Sequence, residues 1–548
     1  MRARCPCRIP HVKTPLDWSR AGLGALAGLL AGAVAVGAGQ LVAGLTSPGA
    51  SPVVAVGQLQ IDFTPPALKN FAIRAFGSHD KLVLVSGILV VLALFAAGLG
   101  IVAMRRLRYG LAGLVVFAVI GVIAAGTRPA ASAVDVLPAL AAAAAAMIAM
   151  PVLVRAASVA RPVGSTPPVQ PPPVLGNTAR GDVAPAGLRT GPLQPDRRRF
   201  LAVSAAAAGA ATVGVLGGRA LAGRFSVADA RAALRIPAPA VRAPALPSGA
   251  DLGIPGLSAF ITPNGAFYRV DTAIVLPQVG PESWQLRIHG MVRREITVSF
   301  AELIRRPLIE DYITVCCVSN PAGGPYISNA RWLGASLASL LRQAGIRAGA
   351  DQLLCTSTDG FTSGVPVQAV MDGRDALLAV AMNGTALPVA HGFPVRMVVP
   401  GLYGYVSACK WLTDIEVTTY RAATAYWAQR GWDAQAPIKT ESRMDVPSGN
   451  AAIAAGPAKV AGVAWAQHKG IDAVEVRADR GAWHQARLAA VPGIDTWRQW
   501  VWDWHATPGT HLLEARATDR TGYTQTGAQT PPEPNGATGY PSVMVTVT

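Results

Sequence analysis

Charge is scarce in this chain. Only 14% of its 548 residues are Asp, Glu, Lys or Arg, whereas 51% are hydrophobic, and the mean hydropathy is +0.35. That is too apolar for an ordinary soluble enzyme and points to membrane-spanning segments in part of the chain. Acidic residues are the scarcer sign, 31 against 48 basic, for a net charge of +17. Such an excess suits nucleic acid only where the basic residues form one patch. Here they flank apolar runs, which is how Lys and Arg are retained on the cytoplasmic side of a membrane, so no nucleic-acid partner is expected. Cysteine is sparse as well: there are six, none in a Cys-x-x-Cys pair. A zinc ribbon, an iron–sulfur cluster and a c-type haem therefore have no ligand set.

Long apolar runs are present. Five can span a bilayer, which takes about 20 helical residues. They cover residues 21–45, 81–104, 111–126, 134–154 and 200–221; the third is short and the fifth is mostly Ala and Gly. None of the eight histidines lies inside them, so no transmembrane bis-histidine haem is expected and electrons must reach the protein from a separate redox partner. Basic residues fill the tail 1–20, the connection at Arg105, Arg106 and Arg108, and the segment 155–199, and they are rare in the alternate connections. The N-terminus is thus expected inside, and everything after the fifth span outside the cytoplasmic membrane.

Composition marks two linkers. Residues 163–195 hold Pro-Pro-Pro and Ser-Thr-Pro-Pro runs, and the stretch 222–258 is rich in Pro and Ala. Between the first linker and the fifth span, Asp196-Arg-Arg-Arg-Phe-Leu201 reads either as a twin-arginine export signal, which passes folded domains, or as a stop-transfer cluster. From 259 to 435 the pattern is that of an α+β domain, with strand-like runs at Ser283–His289, Leu353–Ser357, Val395–Val399 and Asp414–Val417. From 436 to 548, short strands at regular spacing predict a β-sandwich.

The chemistry concentrates in the α+β segment. In Thr314-Val-Cys-Cys-Val-Ser-Asn320 an apolar strand ends in cysteine before a polar turn. A thiolate there suits a soft, sulfur-held metal, although a lone buried cysteine is more often structural. The surrounding motifs run Phe267-Tyr-Arg269, Arg331-Trp-Leu-Gly334, Ser357-Thr-Asp359-Gly360, His391-Gly-Phe-Pro-Val-Arg396 and Lys410-Trp-Leu412. In this order they resemble the sulfite oxidase family, in its membrane-attached actinobacterial branch. The segment after about residue 451 is similar, more loosely, to the family's immunoglobulin-like dimerisation domain. The resemblance implies a molybdenum–molybdopterin cofactor with Cys317 as the metal ligand. It also implies Asn320, Asp359, His391, Arg396 and Lys410 around the pterin and its phosphate, Arg269 in catalysis, and a homodimer. The residue types agree: Arg and Lys satisfy a buried phosphate, and His can hydrogen-bond a heterocycle.

Departures from the family bear on the substrate. Arg269-Val-Asp271 replaces Arg-Asn-His, Pro321-Ala322 stands where two arginines follow the cysteine loop, and a family tyrosine falls on Trp432. Sulfite is therefore not assigned. Two-electron oxygen-atom transfer on a small substrate is expected, with S-oxide or N-oxide reduction as the competing direction. A metal-free, membrane-tethered binding protein that keeps the fold is the alternative from another class, and disulfides among Cys316, Cys317, Cys355 and Cys409 would favour it.

Overall fold

The computed structural model describes residues 18–64, 80–128, 131–159 and 195–548. The basic tail with Cys5 and Cys7 and the Pro-rich stretch 163–194 lie outside the described residues. The chain divides into two units, Met1–Arg224 and Phe225–Thr548.

The first unit is helical: α1 (Trp18–Leu45), α2 (Pro52–Phe63), α3 (Asp80–Arg105), α4 (Leu107–Gly126), α5 (Leu137–Val159) and α6 (Pro195–Ala222). Among the described residues, five helical stretches are long and apolar enough to cross a membrane, at Arg20–Leu45, Val83–Arg105, Leu107–Gly126, Ala133–Ser158 and Arg198–Ala233. They coincide with the five expected runs. The third is longer than its apolar run because the helix already begins at Leu107. Leu94, Phe95, Val116 and Ile148 are more than half exposed, as suits a lipid-facing surface. Small residues bring the helices together. A Cβ on Gly28 of α1 would stand 2.9 Å from the Gly100 backbone nitrogen of α3, and one on Gly37 would stand 2.7 Å from Ala211 O of α6. These pairings make α3 antiparallel to α1 and α6 parallel to it, so the chain leaves the bundle at the end opposite its entry. Arg197–Arg199 fall in the opening turn of α6, which lends no support to a twin-arginine signal.

The second unit contains β1 (Gln285–Gly290), β2 (Ile296–Ser299), β3 (Leu308–Cys316), β4 (Ile327–Ser336), β5 (Gln352–Ser357), β6 (Thr362–Pro366), β7 (Leu377–Met382), β8 (Thr385–Ala386), β9 (Arg396–Val398) and β10 (Leu412–Thr418). One sheet runs β2-β1-β10-β5-β6, and the other runs β3-β4-β7-β8 with β9 alongside β7. The continuous Leu-Leu-Ala-Val-Ala-Met of β7 is buried at every position, as a strand covered on both faces must be. The buried indole of Trp284, just before β1, donates to Leu412 O at 2.7 Å, where the neighbouring strand β10 begins.

Beyond Glu441, a four-stranded and a five-stranded sheet form the expected sandwich, with Val460, Val474, Trp500 and Leu513 at its centre. It grips the far end of β3. Gln467 donates to Thr314 O at 3.1 Å, and Trp497 N donates to the Thr314 hydroxyl at 2.7 Å. The strand that ends beside Cys317 is therefore clamped from the sandwich side.

The expected linker 222–258 is not free chain. Arg231 donates to Leu387 O at 2.7 Å and to Ala386 O at 2.8 Å. Ala240 N and Val241 N both donate to Leu308 O, at 2.8 and 3.1 Å, and Glu310 N donates to Val241 O at 2.8 Å. Pro-rich chain is extended and can lie on a sheet edge wherever an N–H remains to pair.

Candidate active site

Cys316 ends β3, and Cys317 opens the turn that follows. The loop is cross-linked: Cys317 N donates to Tyr326 O at 2.9 Å and Asn320 N to Cys317 O at 3.1 Å, while Tyr326 N donates to Asn320 Oδ1 at 2.8 Å. Neighbouring chemistry separates the two thiols. Burial pushes both up, and at Cys316 the charges of Glu441 and Cys317 push further. At Cys317 burial is opposed by hydrogen bonds from Ser319 and by the Lys410 charge. Both thiols stay raised; at Cys316 only the Arg443 charge opposes the shift, whereas Cys317 has the Ser319 donors as well as a nearby cation. Cys316, Cys317, Cys355 and Cys409 are all free and buried.

Three cations converge near it. Arg396 opens β9 and is 4% exposed. It donates to His391 O at 3.3 Å and Ala408 O at 3.4 Å, with its guanidinium 4.9 Å from the centre of the Trp332 ring. Burial pulls its pKa down to about 10. Lys410 follows Cys409 and donates to Asp271 at 2.7 Å. Arg269 contacts the same Asp271 oxygen at 3.0 Å.

Tight backbone brings these groups together. Gly392 has φ +106°, and a Cβ there would stand 2.9 Å from the Arg396 Cβ and 3.1 Å from the Lys410 Cβ. Trp411 is held at φ +50°, a left-handed conformation that costs a bulky side chain energy and is retained at functional sites. Its indole donates to Val389 O at 3.0 Å, pinning Lys410 beside the His391 turn. The His391 ring contacts Asn264 O at 3.2 Å. Burial, then the charges of Arg396 and Lys410, lower its pKa to about 4, so it is neutral at pH 7.

Asp359 lies in the turn between β5 and β6 and accepts from Phe361 N at 3.1 Å. Thr358 N and its hydroxyl donate to Trp411 O at 2.9 and 3.0 Å, joining that turn to the Lys410 segment. Its charge acts on the Cys409 thiol, which burial first and Asp359 next push up to about 12. Cys317, His391, Arg396, Lys410 and Arg269 are therefore gathered into one neighbourhood, with Asp359 on its Cys409 side.

Three tyrosines escaped the sequence reading. Tyr268 lies inside the quoted Phe-Tyr-Arg motif, and burial followed by Cys317 and Cys316 raises its pKa well above the usual value. Tyr403 and Tyr405 are raised too, by burial first, with Cys317 contributing to both. Trp432, the counterpart of a family tyrosine, packs against Tyr405 at 6.1 Å between ring centres, so a phenol near the cysteine is supplied from another position.

The site suits an anionic, amide-bearing cofactor. Among the described residues no carboxylate pairs with buried Arg396, and its Nε and the Asn320 amide nitrogen have no hydrogen-bond partner. Buried donors of that kind are costly unless a ligand meets them.

Residues 273–427 match the family described as "Oxidoreductase molybdopterin binding domain". Sulfite oxidase of Gallus gallus is 32% identical over 290 residues, covering 44% of this chain and 62% of that protein. The human mitochondrial enzyme is 27% identical, over 42% of this chain and 49% of its own length. The chain thus spans about half to three-fifths of these curated relatives. The uncharacterised oxidoreductase YuiH of Bacillus subtilis is 30% identical over 27% of this chain and 72% of its own. The sulfane dehydrogenase SoxCD of Paracoccus pantotrophus aligns with a TM-score of 0.46 at 23% identity, over 53% of this chain and 84% of that one. With the family's domain matched and a relative covered over more than two thirds of its length, the chain belongs to the sulfite oxidase-like molybdopterin oxidoreductases.

Proposed function

We propose that the chain is a membrane-anchored oxidoreductase carrying out two-electron oxygen-atom transfer on a small substrate at the outer face of the cytoplasmic membrane. The observation that carries this reading is the Cys317 turn together with buried Arg396, which no carboxylate pairs among the described residues, and with Lys410 and neutral His391. When bound, the molybdenum–pterin group supplies the two-electron couple. Cys317 would be its protein ligand. Arg396 and Lys410 would meet its phosphate, Asn320 and neutral His391 would hydrogen-bond its heteroatoms, and Asp359 would accept from its NH groups. Tyr268, kept protonated by burial, holds a proton beside the reacting region.

The absence of arginines at Pro321-Ala322 favours reduction of an S-oxide or N-oxide over oxidation of sulfite. For a sulfoxide the balance is R2SO + 2H+ + 2e− → R2S + H2O, with the electrons arriving from a separate quinone or cytochrome-type carrier. The five candidate spans among the described residues and the parallel run of α1 and α6 support an outer-face location, given basic connections inside. Metal and pterin analysis of protein made in a cofactor-competent host tests the reading. One molybdenum and one pterin per chain are expected, both lost in Cys317→Ser. Wild-type protein devoid of molybdenum would sink it.

A further inference from the structure

Residues 285–306 and 337–347 carry seven arginines against two carboxylates, Glu295 and Glu302, and folding brings them to one corner. Arg293 N and Arg294 N donate to Gly345 O and Ala344 O at 2.8 and 3.0 Å, which sets the turn between β1 and β2 on the end of the helix Leu337–Ala344. Arg306 follows the short helix Phe300–Ile304 and donates to Gln343 Oε1 at 2.8 Å. Both carboxylates are already engaged: Glu295 pairs with Arg287 at 2.8 Å, and Glu302 accepts from Ser299 N and its hydroxyl, each at 2.8 Å. Among the described residues no carboxylate pairs with Arg293, Arg294, Arg305, Arg306, Arg342 or Arg347. Helix ends account for Arg305, which donates to Ala301 O at 3.0 Å, and for Arg342 in the last turn of its helix. They do not account for Arg294 and Arg306. With Thr297, Gln343 and the capped Glu302, these two line a surface hollow of about 320 Å³. The Arg306 Nε is buried and has no hydrogen-bond partner among the described residues, a donor left for an anion.

We propose that this hollow binds the phosphate of an anionic phospholipid and docks its corner of the catalytic unit on a membrane surface. The proposal rests on the membrane-anchored reading above. Two observations favour lipid over an acidic electron carrier. First, the chain leaving the last span runs to this corner: Ala240 N and Val241 N donate to Leu308 O, close after Arg306, and exposed Arg242 follows. The tether from Ala222 to Ala240 extends at most roughly 60 Å, so a membrane holding the span stays within reach. Second, β3 leads from Leu308 at this corner to Cys316, about 26 Å of strand. A carrier seated here would be far from Cys317, whereas a lipid surface leaves the cysteine end free.

The test uses full-length protein in nanodiscs of neutral phosphatidylcholine, with or without phosphatidylglycerol. Phenylglyoxal labelling of arginines is read by mass spectrometry, with exposed Arg480 of the sandwich as internal control. Labelling of Arg294 and Arg306 should slow on the order of fivefold in the anionic discs alone, the effect of about one arginine contact with an anionic surface. It should recover at roughly 1 M salt, where the Debye length is about 3 Å. In the double variant Arg294→Gln, Arg306→Gln, labelling of Arg293 should no longer depend on the lipid. Equal labelling in both disc types would overturn the proposal. So would equal protection in neutral discs by inorganic phosphate or by an acidic ferredoxin, which would give the hollow to those occupants. The wild-type comparison decides even if the variant folds poorly. Failure to enter discs of either composition, read by size exclusion, would instead remove the anchored reading.

Discussion

Glu441 allows a quantitative check of the fold around the site. It opens the first strand of the sandwich, is 2% exposed, and its Oε1 finds no hydrogen-bond partner among the described residues. The nearby Lys439 amine is held instead by Asn535 Oδ1 at 2.9 Å and Gly536 O at 2.5 Å. Burial raises the Glu441 pKa from 4.5 to about 8, only partly opposed by Lys439. The folded carboxyl thus keeps its proton between pH 4.5 and 8 while the unfolded one loses it. The folded state binds more protons in that window, so this group's contribution is fully present below pH 4.5 and is lost as pH rises to 8. At about 1.4 kcal/mol per pH unit the total is about 5 kcal/mol. Glu441→Gln imitates the protonated form and should remove that slope. Urea denaturation of both proteins in detergent, followed by tryptophan fluorescence from pH 5 to 9, gives the difference directly. The variant should gain on wild type by about 1.4 kcal/mol per pH unit up to pH 8 and hold a constant lead above it. Parallel stability curves across the range would refute a buried, protonated Glu441.

Gly392→Ala should lose cofactor even though it removes no ligand: left-handed strain and crowding of Arg396 and Lys410 cost about 1–3 kcal/mol each, and unchanged molybdenum and pterin content would count against the close approach. In the bundle, Gly28→Val should force α1 from α3 and abolish monodisperse protein in detergent, whereas Gly22→Val, with open space around its Cβ, should behave as wild type in size-exclusion chromatography. Apoprotein stability should fall as pH drops from 6.5 to about 4, because folded His391 resists the proton that the unfolded chain accepts. His391→Gln should flatten that limb of the profile.

What was legible in the sequence depended on whether the signal was local. The five spans and the strands at residues 285–290, 352–357 and 412–418 announce themselves by composition and period within their own length. Helix α2 does not, since Gln58, Gln60 and Asp62 interrupt a run of twelve residues and only packing selects the helix. The Pro- and Ala-rich stretch before residue 259 looked like a linker because its composition records missing donors. The donors that remain, at Ala240 and Val241, are the ones that pair with Leu308.

The site divides along the same line. Its motif residues could be named because each motif is short, but their mutual charges could not be balanced in one dimension. Asp271 stood out only as a departure from a family pattern, and in sequence it lies 139 residues from Lys410. Lys410 leads into β10, and Asp271 lies in the irregular segment ahead of β1; the two meet only in the folded chain, at 2.7 Å. A substitution that reads as loss of an anion site is thus, in three dimensions, the gain of a counterion for two cations. The same reasoning distinguishes the adjacent thiols: burial raises both, but Cys317 is opposed by Ser319 donors and the Lys410 charge, Cys316 by the Arg443 charge alone.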